Sequence, residues 1–197
     1  MASSTAVVGL PGQLSHALAT ELGAVTVAPG AELPANTTCA VIVMDPCPPP
    51  VDAVALSGED WRRLVDETMW RTLTALQQAR AGCSGGGRIV VVVPTIGMAG
   101  APGLVGYTTA VEGIRAMVKS AARQWASQGI GVNLVAVPLS MFSDDATAAG
   151  HLTAAPVRDD STPIHTVAAS VMFLLRSDLD HLAGETIVAD GGSVMLP

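Results

Sequence analysis

Short apolar runs alternate along this chain with longer stretches in which apolar residues recur every three or four positions. The run from Arg88 to Val93 shows no polar alternation, which is typical of a strand buried on both faces of a parallel sheet. The stretches with helical spacing predict helices over 14–22, 59–80, 105–127 and 164–176. The apolar runs predict strands at 5–9, 24–28, 39–44, 88–93, 131–137 and 186–189.

This alternation of strands and helices predicts an α/β fold, a doubly wound parallel sheet with helices on both faces. The chain has 197 residues, contains no internal repeat and no long linker, and is expected to form one domain over residues 1–197. The segment from Asp45 to Pro50 is too rich in proline to be helix or central strand. A glycine-rich loop is predicted after Val93, and a polar loop over 139–163.

Charge and hydropathy exclude several classes of function. The net charge is −7 and only one residue is lysine, so no basic surface for nucleic acid or for an anionic membrane is expected. The uncharged stretch 89–111 is long enough to cross a bilayer, but its glycines and prolines favour a strand and a loop. Charged residues make up only 14% of the chain. This favours a surface covered by other subunits, with a monomer rich in surface Ala, Gly and Val as the alternative.

The remaining composition offers little metal or disulfide chemistry. Three cysteines form no CxxC pair, and the four histidines are dispersed, so reduced cysteines and no metal site are expected. The carboxylates Asp45 with Asp52, and Asp144 with Asp145, lack metal-ligand spacing with histidine or cysteine. The start of the chain has no basic segment before an apolar run, which indicates a cytoplasmic protein. A preference for Ala, Val and Arg over Lys is typical of a GC-rich bacterial genome.

An ordered series of segments resembles the short-chain dehydrogenase/reductase family. The resemblance extends from about Val41 to Gly192. The segments that carry it are WRRLVDET at 61–68, GRIVVVVPTIG at 87–97, GAPG at 100–103, Tyr107, GIGVN at 129–133 and GETIVADGG at 184–192. The resemblance implies a Rossmann-like fold, a nicotinamide-dependent oxidoreductase activity, and tetramers assembled on the two long helices. Because fold alone does not establish function, each functional position of the family has to be compared with this sequence.

The catalytic positions of the family are mostly replaced. The family's general acid/base tyrosine corresponds to Tyr107, but the lysine four residues later corresponds to Val111. Lys119, the only lysine, lies about 18 Å further along a helix and cannot replace it. The family's serine falls on Pro94 or Thr95, and only the threonine carries a hydroxyl. The family's asparagine position falls on Thr68. Tyr107 and Thr95 are therefore interpreted as vestigial catalytic residues.

The cofactor site of the family is also reduced. Its glycine-rich first turn corresponds to the segment from Gly9 to Leu14, which is one residue short and ends in leucine where the family has glycine. The family places a helix, a strand and a second helix where this chain has only residues 29–38. Gly9, Gly12 and Pro138 are vestiges of the site. The N-terminal half is thus shortened, and no cofactor is expected on this chain.

Three functions remain open. The first is a non-catalytic subunit that pairs with an active NAD- or NADP-dependent member of the family in a heterotetramer, through helices 59–80 and 105–127. The second is a solitary homo-oligomeric ligand-binding or regulatory pseudoenzyme. The third is a divergent reductase that uses Tyr107 and Thr95. Trp61, Trp70 and Trp125 lie on the two long helices, where they serve either the core or an interface.

Overall fold

Six parallel strands form one sheet in the order β2-β1-β3-β4-β5-β6. The computed structural model describes residues 4–83, 85–143, 150 and 163–194. Within them the predicted class is confirmed, because every neighbouring pair of strands is parallel and helices cover the sheet. The strands are β1 Ser4–Val8, β2 Val25–Val27, β3 Thr37–Val43, β4 Gly87–Pro94, β5 Ile130–Val137 and β6 Thr186–Val188.

The helices lie in two layers. Helices α1 and α6 contact each other on one face of the sheet, and α3 and α5 contact each other on the other face. A single π-helical turn, Arg62–Asp66, joins α2 to α3, so the helix predicted over 59–80 is continuous but irregular. The helices are α1 Gln13–Leu22, α2 Gly58–Trp61, α3 Glu67–Gly82, α4 Ile96–Ala99, α5 Val105–Trp125 and α6 Pro163–Leu174.

The structure corrects the sequence prediction at several boundaries. Helix α4 lies where a glycine-rich loop was expected after β4. It was not predicted because a helix of 4 residues is too short to show a helical period. Helix α5 ends at Trp125 and continues as a 3-10 turn, Ala126–Gln128. A second 3-10 turn, Leu139–Met141, begins the segment expected to be a polar loop, most of which lies outside the described residues. Helix α6 ends at Leu174, before Arg176.

Strands β4 and β5 form the centre of the core. Every residue of β4 from Arg88 to Pro94 is buried, and so is every residue of β5 from Val132 to Val137. The valines of β4 contact helices on both sides of the sheet, which explains why this run shows no polar alternation.

The connection between β2 and β3 is short. Residues 28–36 contain no helix and no strand. The side chain of Gln78 on α3 holds this connection in place: it accepts a hydrogen bond from Gly30 N at 2.9 Å and donates to the carbonyls of Ala28 and Ala31. Strand β2 is an edge strand of the sheet, and its residues Val25 and Thr26 are exposed.

Arg88 anchors the opposite, amino-terminal end of the sheet. Its side chain is 8% exposed and donates to the carbonyl oxygens of Arg176 at 2.9 Å and Ser177 at 2.8 Å. It also donates to the carbonyls of Gly87 and Gly129 and to the Asp180 carboxylate. This one guanidinium joins β4 to the segment that follows α6. Ligand sites of open parallel sheets lie at the other end, beyond the carboxyl ends of the strands.

Candidate functional site at the carboxyl ends of the strands

Tyr107 lies in the first turn of α5, where its ring is 1% exposed. Its hydroxyl donates a hydrogen bond to the backbone carbonyl oxygen of Asp45, at 3.0 Å. Burial raises the pKa of this phenol well above its usual value of 10, and the nearby Cys47 and Asp45 add to the effect. The phenol is therefore neutral near pH 7 and a poor general base there.

The segment after β3 is held over Tyr107 by two polar contacts. Arg71 of α3 donates to Asp45 Oδ2 from its Nε at 2.7 Å. Two residues further along, Cys47 N donates to the carbonyl of Phe142 at 2.8 Å. Strands β3 and β5 flank β4 in the sheet, so this second bond joins the loops on either side of the carboxyl end of β4. The bond to Phe142 therefore holds the loop after β3 against the segment after β5.

Thr95 follows β4 directly and is 2% exposed. Its backbone N–H and its hydroxyl both donate to the carbonyl of Val137, at 2.8 and 3.3 Å. The hydroxyl is thus engaged at the boundary between β4 and β5. Pro94, the other residue considered for this position, is the last residue of β4.

The residues predicted at the family's lysine and asparagine positions, Val111 and Thr68, are buried packing residues. Val111 lies one turn after Tyr107 on α5, is fully buried, and packs so closely against Gly97 of α4 that a Cβ there would collide with it. Thr68 is buried in α3, and its carbonyl accepts a hydrogen bond from the Thr72 hydroxyl at 3.1 Å. Helices α4 and α3 both pack on α5, so the four positions surround the start of that helix without forming a shared polar site.

A cavity of about 700 Å³ lies beside α1, at the carboxyl ends of β1 and β3. Neither Tyr107 nor Thr95 lines it, and among the described residues its wall includes no charged side chain. The wall is formed by Leu10, Gly12, Gln13, Leu14, Ser15, Ala17, Val43, Met44, Pro46, Cys47, Pro48, Pro49, Pro50, Ser140, Met141, Phe142, Ser143 and Ile164.

The three predicted cofactor positions have different structural roles. At Gly9 a Cβ would lie 3.1 Å from the carbonyl oxygen of Val43 and 3.2 Å from Ser15 Oγ, so glycine allows the end of β1 to approach β3. Gly12 precedes α1 with an extended φ of −174°, and an added Cβ would make only an ordinary contact, 3.9 Å from the carbonyl oxygen of Leu10. Pro138 follows β5 and begins the 3-10 turn at Leu139, outside the cavity wall.

Two features oppose a nicotinamide dinucleotide in this cavity. The side chain of Leu14 lines it at the position where the family has a glycine that lets the backbone approach the pyrophosphate. The Tyr107 hydroxyl, which a hydride-transfer reaction would require beside the nicotinamide ring, is enclosed by its bond to Asp45. The residues present do not fit the cofactor, and no hydride-transfer step follows from this geometry.

Comparison with known proteins places the chain in a family. Residues 47–194 match the family model described as enoyl-(acyl carrier protein) reductase. The chain belongs to the short-chain dehydrogenase/reductase family. This assignment confirms the resemblance carried by the segments after β3, and the short-chain dehydrogenase/reductase fold explains why the site lies at the carboxyl ends of the strands.

Curated relatives are reductases and dehydrogenases of the same family. The chain is 27% identical over 151 residues to the 3-oxoacyl-[acyl-carrier-protein] reductase of Salmonella typhimurium, covering 72% of this chain and 60% of the relative. Identity is 31% over 153 residues with the corresponding reductase of Vibrio harveyi, with the same coverage of 72% and 60%. A cyclohexanol dehydrogenase of Acinetobacter is 29% identical over 143 residues, which is 69% of this chain and 55% of the relative. The chain thus spans about 60% of the length of such short-chain dehydrogenases/reductases.

The other candidate groups that the structure describes do not line the cavity. Within the described residues no three His, Cys, Asp or Glu side chains come together as metal ligands, and no helix is long and apolar enough to cross a membrane. Asp45 is an ion-pair partner of Arg71, and Asp52 accepts a hydrogen bond from Val54 N. Asp144 and Asp145 lie outside the described residues. His16, His165 and His181 are exposed.

Sequence reasoning missed the two contacts that enclose Tyr107. The Asp45–Arg71 pair joins the loop after β3 to α3, two segments that no local pattern connects. The bond between Cys47 and Phe142 joins backbone atoms, which carry no signal in side-chain identity. The proline-rich segment from 45 to 50 did indicate an irregular closure after β3, and that signal alone pointed to this loop.

Proposed function

We propose that this chain is a non-catalytic short-chain dehydrogenase/reductase subunit that pairs with a catalytically competent member of the same family. The observation that carries the proposal is the enclosure of Tyr107, whose hydroxyl is bonded to Asp45 while a buried valine occupies the lysine position. A lysine one turn away would lower the pKa of the phenol, whereas burial raises it here. The catalytic tyrosine of such an enzyme is thus present only as a structural residue.

The helix layer formed by α2, α3 and α5 supports pairing. Trp70 of α3 is 65% exposed and Trp61 of α2 is 39% exposed, whereas Trp125 of α5 packs against the core. Val105, the first residue of α5, is also exposed. Large apolar side chains on one helix layer are typical of a protein–protein interface, in which tryptophan is enriched. Helices 59–80 and 105–127 are the two long helices through which the family resemblance implies that subunits assemble.

The division of labour follows from this arrangement. The partner subunit supplies the tyrosine, the lysine and the bound NAD or NADP, and this chain supplies a matching helix layer. A two-fold interface uses the same patch on both subunits, and a similar patch on a related subunit replaces one copy of it. The complex is accordingly proposed as a heterotetramer with reductase or dehydrogenase activity carried by the partner.

Native mass spectrometry of the complex recovered with an affinity-tagged chain from its source tests the proposal. We expect mixed complexes that contain a second, larger subunit of the family, with the dinucleotide mass following that subunit. Complexes built only from multiples of this chain contradict an obligate partner. A dinucleotide bound to such homo-oligomers favours instead the divergent reductase that uses Tyr107 and Thr95.

A pair of variants separates specific pairing from general loss of solubility. Trp70→Glu places a charge on the proposed interface, and recovery of the second subunit is expected to fall at least tenfold. Val54→Glu changes an apolar residue that is 94% exposed on the loop before α2, and recovery is expected to remain unchanged. Equal recovery with both variants contradicts pairing through this layer.

The solitary binding or regulatory subunit is the second candidate, and the cavity beside α1 favours it. A cavity of about 700 Å³ falls within the range of small-molecule sites. This function needs no partner, so homo-oligomers without dinucleotide in the mass spectra are the outcome that selects it.

A further inference from the structure

The cavity beside α1 has an apolar wall made of side chains from three separate parts of the chain. Leu10 lies in the turn before α1 and Leu14 in its first turn. Met44 directly follows β3, and Met141 and Phe142 belong to the segment after β5. Methionine side chains adapt their shape to irregular apolar ligands. Such a wall favours a ligand with few polar atoms.

The polar groups at this wall are few and partly engaged. Ser15 Oγ donates to the carbonyl of Leu10 at 3.0 Å, and Cys47 N donates to Phe142 O at 2.8 Å. Four prolines, at positions 46 and 48–50, present no N–H group to the cavity. The proline-rich face of the cavity therefore offers few hydrogen-bond donors. The polar side chains of the described wall are those of Gln13, Ser15, Cys47, Ser140 and Ser143.

Charge argues in the same direction. The described wall carries no lysine, arginine, aspartate or glutamate, and the chain as a whole has a net charge of −7. Binding of a phosphate-bearing molecule requires compensation of its charge, for which cationic side chains are the usual means. Within the described wall, compensation for an anion would come only from the backbone N–H groups in the first turn of α1 and not from a charged side chain. Burial of a poorly compensated charge is costly, so a neutral ligand is favoured over an anionic one.

We propose that this cavity binds an uncharged, predominantly aliphatic small molecule, and that it does not bind a dinucleotide. The inference concerns the wall of this chain alone and holds whether or not a partner subunit exists. The proline-rich segment after β3 forms part of the wall of the cavity.

Displacement of the neutral fluorescent probe Nile red by 1-decanol tests the inference. The purified chain is expected to enhance Nile red fluorescence, and micromolar 1-decanol is expected to reverse the enhancement. Decanoate is expected to compete at least tenfold more weakly, because its charge enters an uncharged wall. Competition by NADH or NADPH at concentrations equal to that of 1-decanol overturns the inference.

Two substitutions fill the cavity from different walls. Ala17→Phe on α1 and Ser140→Phe after β5 are each expected to weaken Nile red binding at least tenfold, and the second remains informative where the first fails to fold. Thr20→Phe adds the same ring at an exposed position of α1 outside the cavity wall and is expected to leave binding unchanged. Unchanged binding in a folded cavity-filling variant overturns the inference.

The exposed helix layer provides a further control, because Nile red also binds apolar surfaces. Trp70→Glu is expected to leave the 1-decanol-sensitive signal intact. Loss of that signal in Trp70→Glu, together with its survival in Ala17→Phe, assigns the probe to the helix layer and overturns the inference. The pairing proposal is unaffected by either result, since its readout is subunit composition.

Discussion

Tyr107 is the only tyrosine of the chain, and this makes its ionisation directly measurable. Its burial raises the pKa of the phenol well above 10. In a titration followed by tyrosinate absorbance near 295 nm, the folded chain is expected to show no rise at pH 10. The chain in denaturant is expected to titrate near pH 10. A folded-state transition below pH 10 contradicts the enclosed tyrosine and favours a catalytic one.

The same residue links pH to stability. Because the folded chain holds the phenol protonated while the unfolded chain releases the proton near pH 10, stability is expected to fall as pH rises above that value. Tyr107→Phe is expected to show a shallower fall between pH 10 and 11 in urea unfolding. Burial also raises the pKa of Cys83 to about 11, and this contribution is the same in both proteins.

At neutral pH the loss of the phenol hydroxyl removes the donor to the Asp45 carbonyl. Tyr107→Phe is expected to lower the free energy of unfolding by about 1–2 kcal/mol, measured by urea denaturation at pH 7. It is expected to leave the activity of the recovered complex unchanged. Loss of that activity in a complex of unchanged composition contradicts the structural role assigned to Tyr107.

Individual residues differed in how far the sequence disclosed their roles. The absence of a lysine at position 111 was evident from the sequence, because Lys119 is the only lysine of the chain. The sequence also predicted that a leucine side chain at position 14 occupies space beside the first turn, and the structure places Leu14 in the cavity wall. The enclosure of Tyr107 was not predictable, because its acceptor is a backbone oxygen on another element.

At the scale of elements, Arg88 is the side chain that joins β4 to the segment after α6. Arg88→Met leaves the carbonyls of Arg176 and Ser177 without this donor, and the free energy of unfolding is expected to fall by about 2–4 kcal/mol. Arg63→Met is the matched control, because Arg63 is 54% exposed and paired only within its own helical segment. Its effect in the same chemical denaturation is expected to stay below about 0.5 kcal/mol.

The elements themselves were predicted where a pattern was long enough to repeat. Strand β4 followed from a continuous run of Val and Ile, β5 from an apolar run that ends before Pro138, and α5 from its apolar stripe. Helix α4 was missed because its single turn contains no repeat. The π turn at Arg62–Asp66 was also not predictable, since a single irregular turn is too short to be recognised from apolar spacing over 59–80.

At the scale of the whole molecule, the exposed tryptophans make assembly testable in the purified chain. Trp70→Glu is expected to lower the sedimentation coefficient by shifting oligomers toward smaller species, because the charge would be buried in a helix interface. Its thermal midpoint in dilute solution is expected to stay near that of the wild-type chain, since Trp70 is 65% exposed in the single subunit. An unchanged sedimentation profile contradicts self-association through this layer.

Val111 has a consequence for the history that this fold permits. A lysine there would bring an amine into a fully buried site that is closed by Gly97, while the phenol it would serve stays bonded to Asp45. Val111→Lys alone is therefore expected to lower stability, because it places an amine in a fully buried site. If the proposed non-catalytic role is correct, this packing opposes the return of a lysine to position 111 as a single evolutionary step.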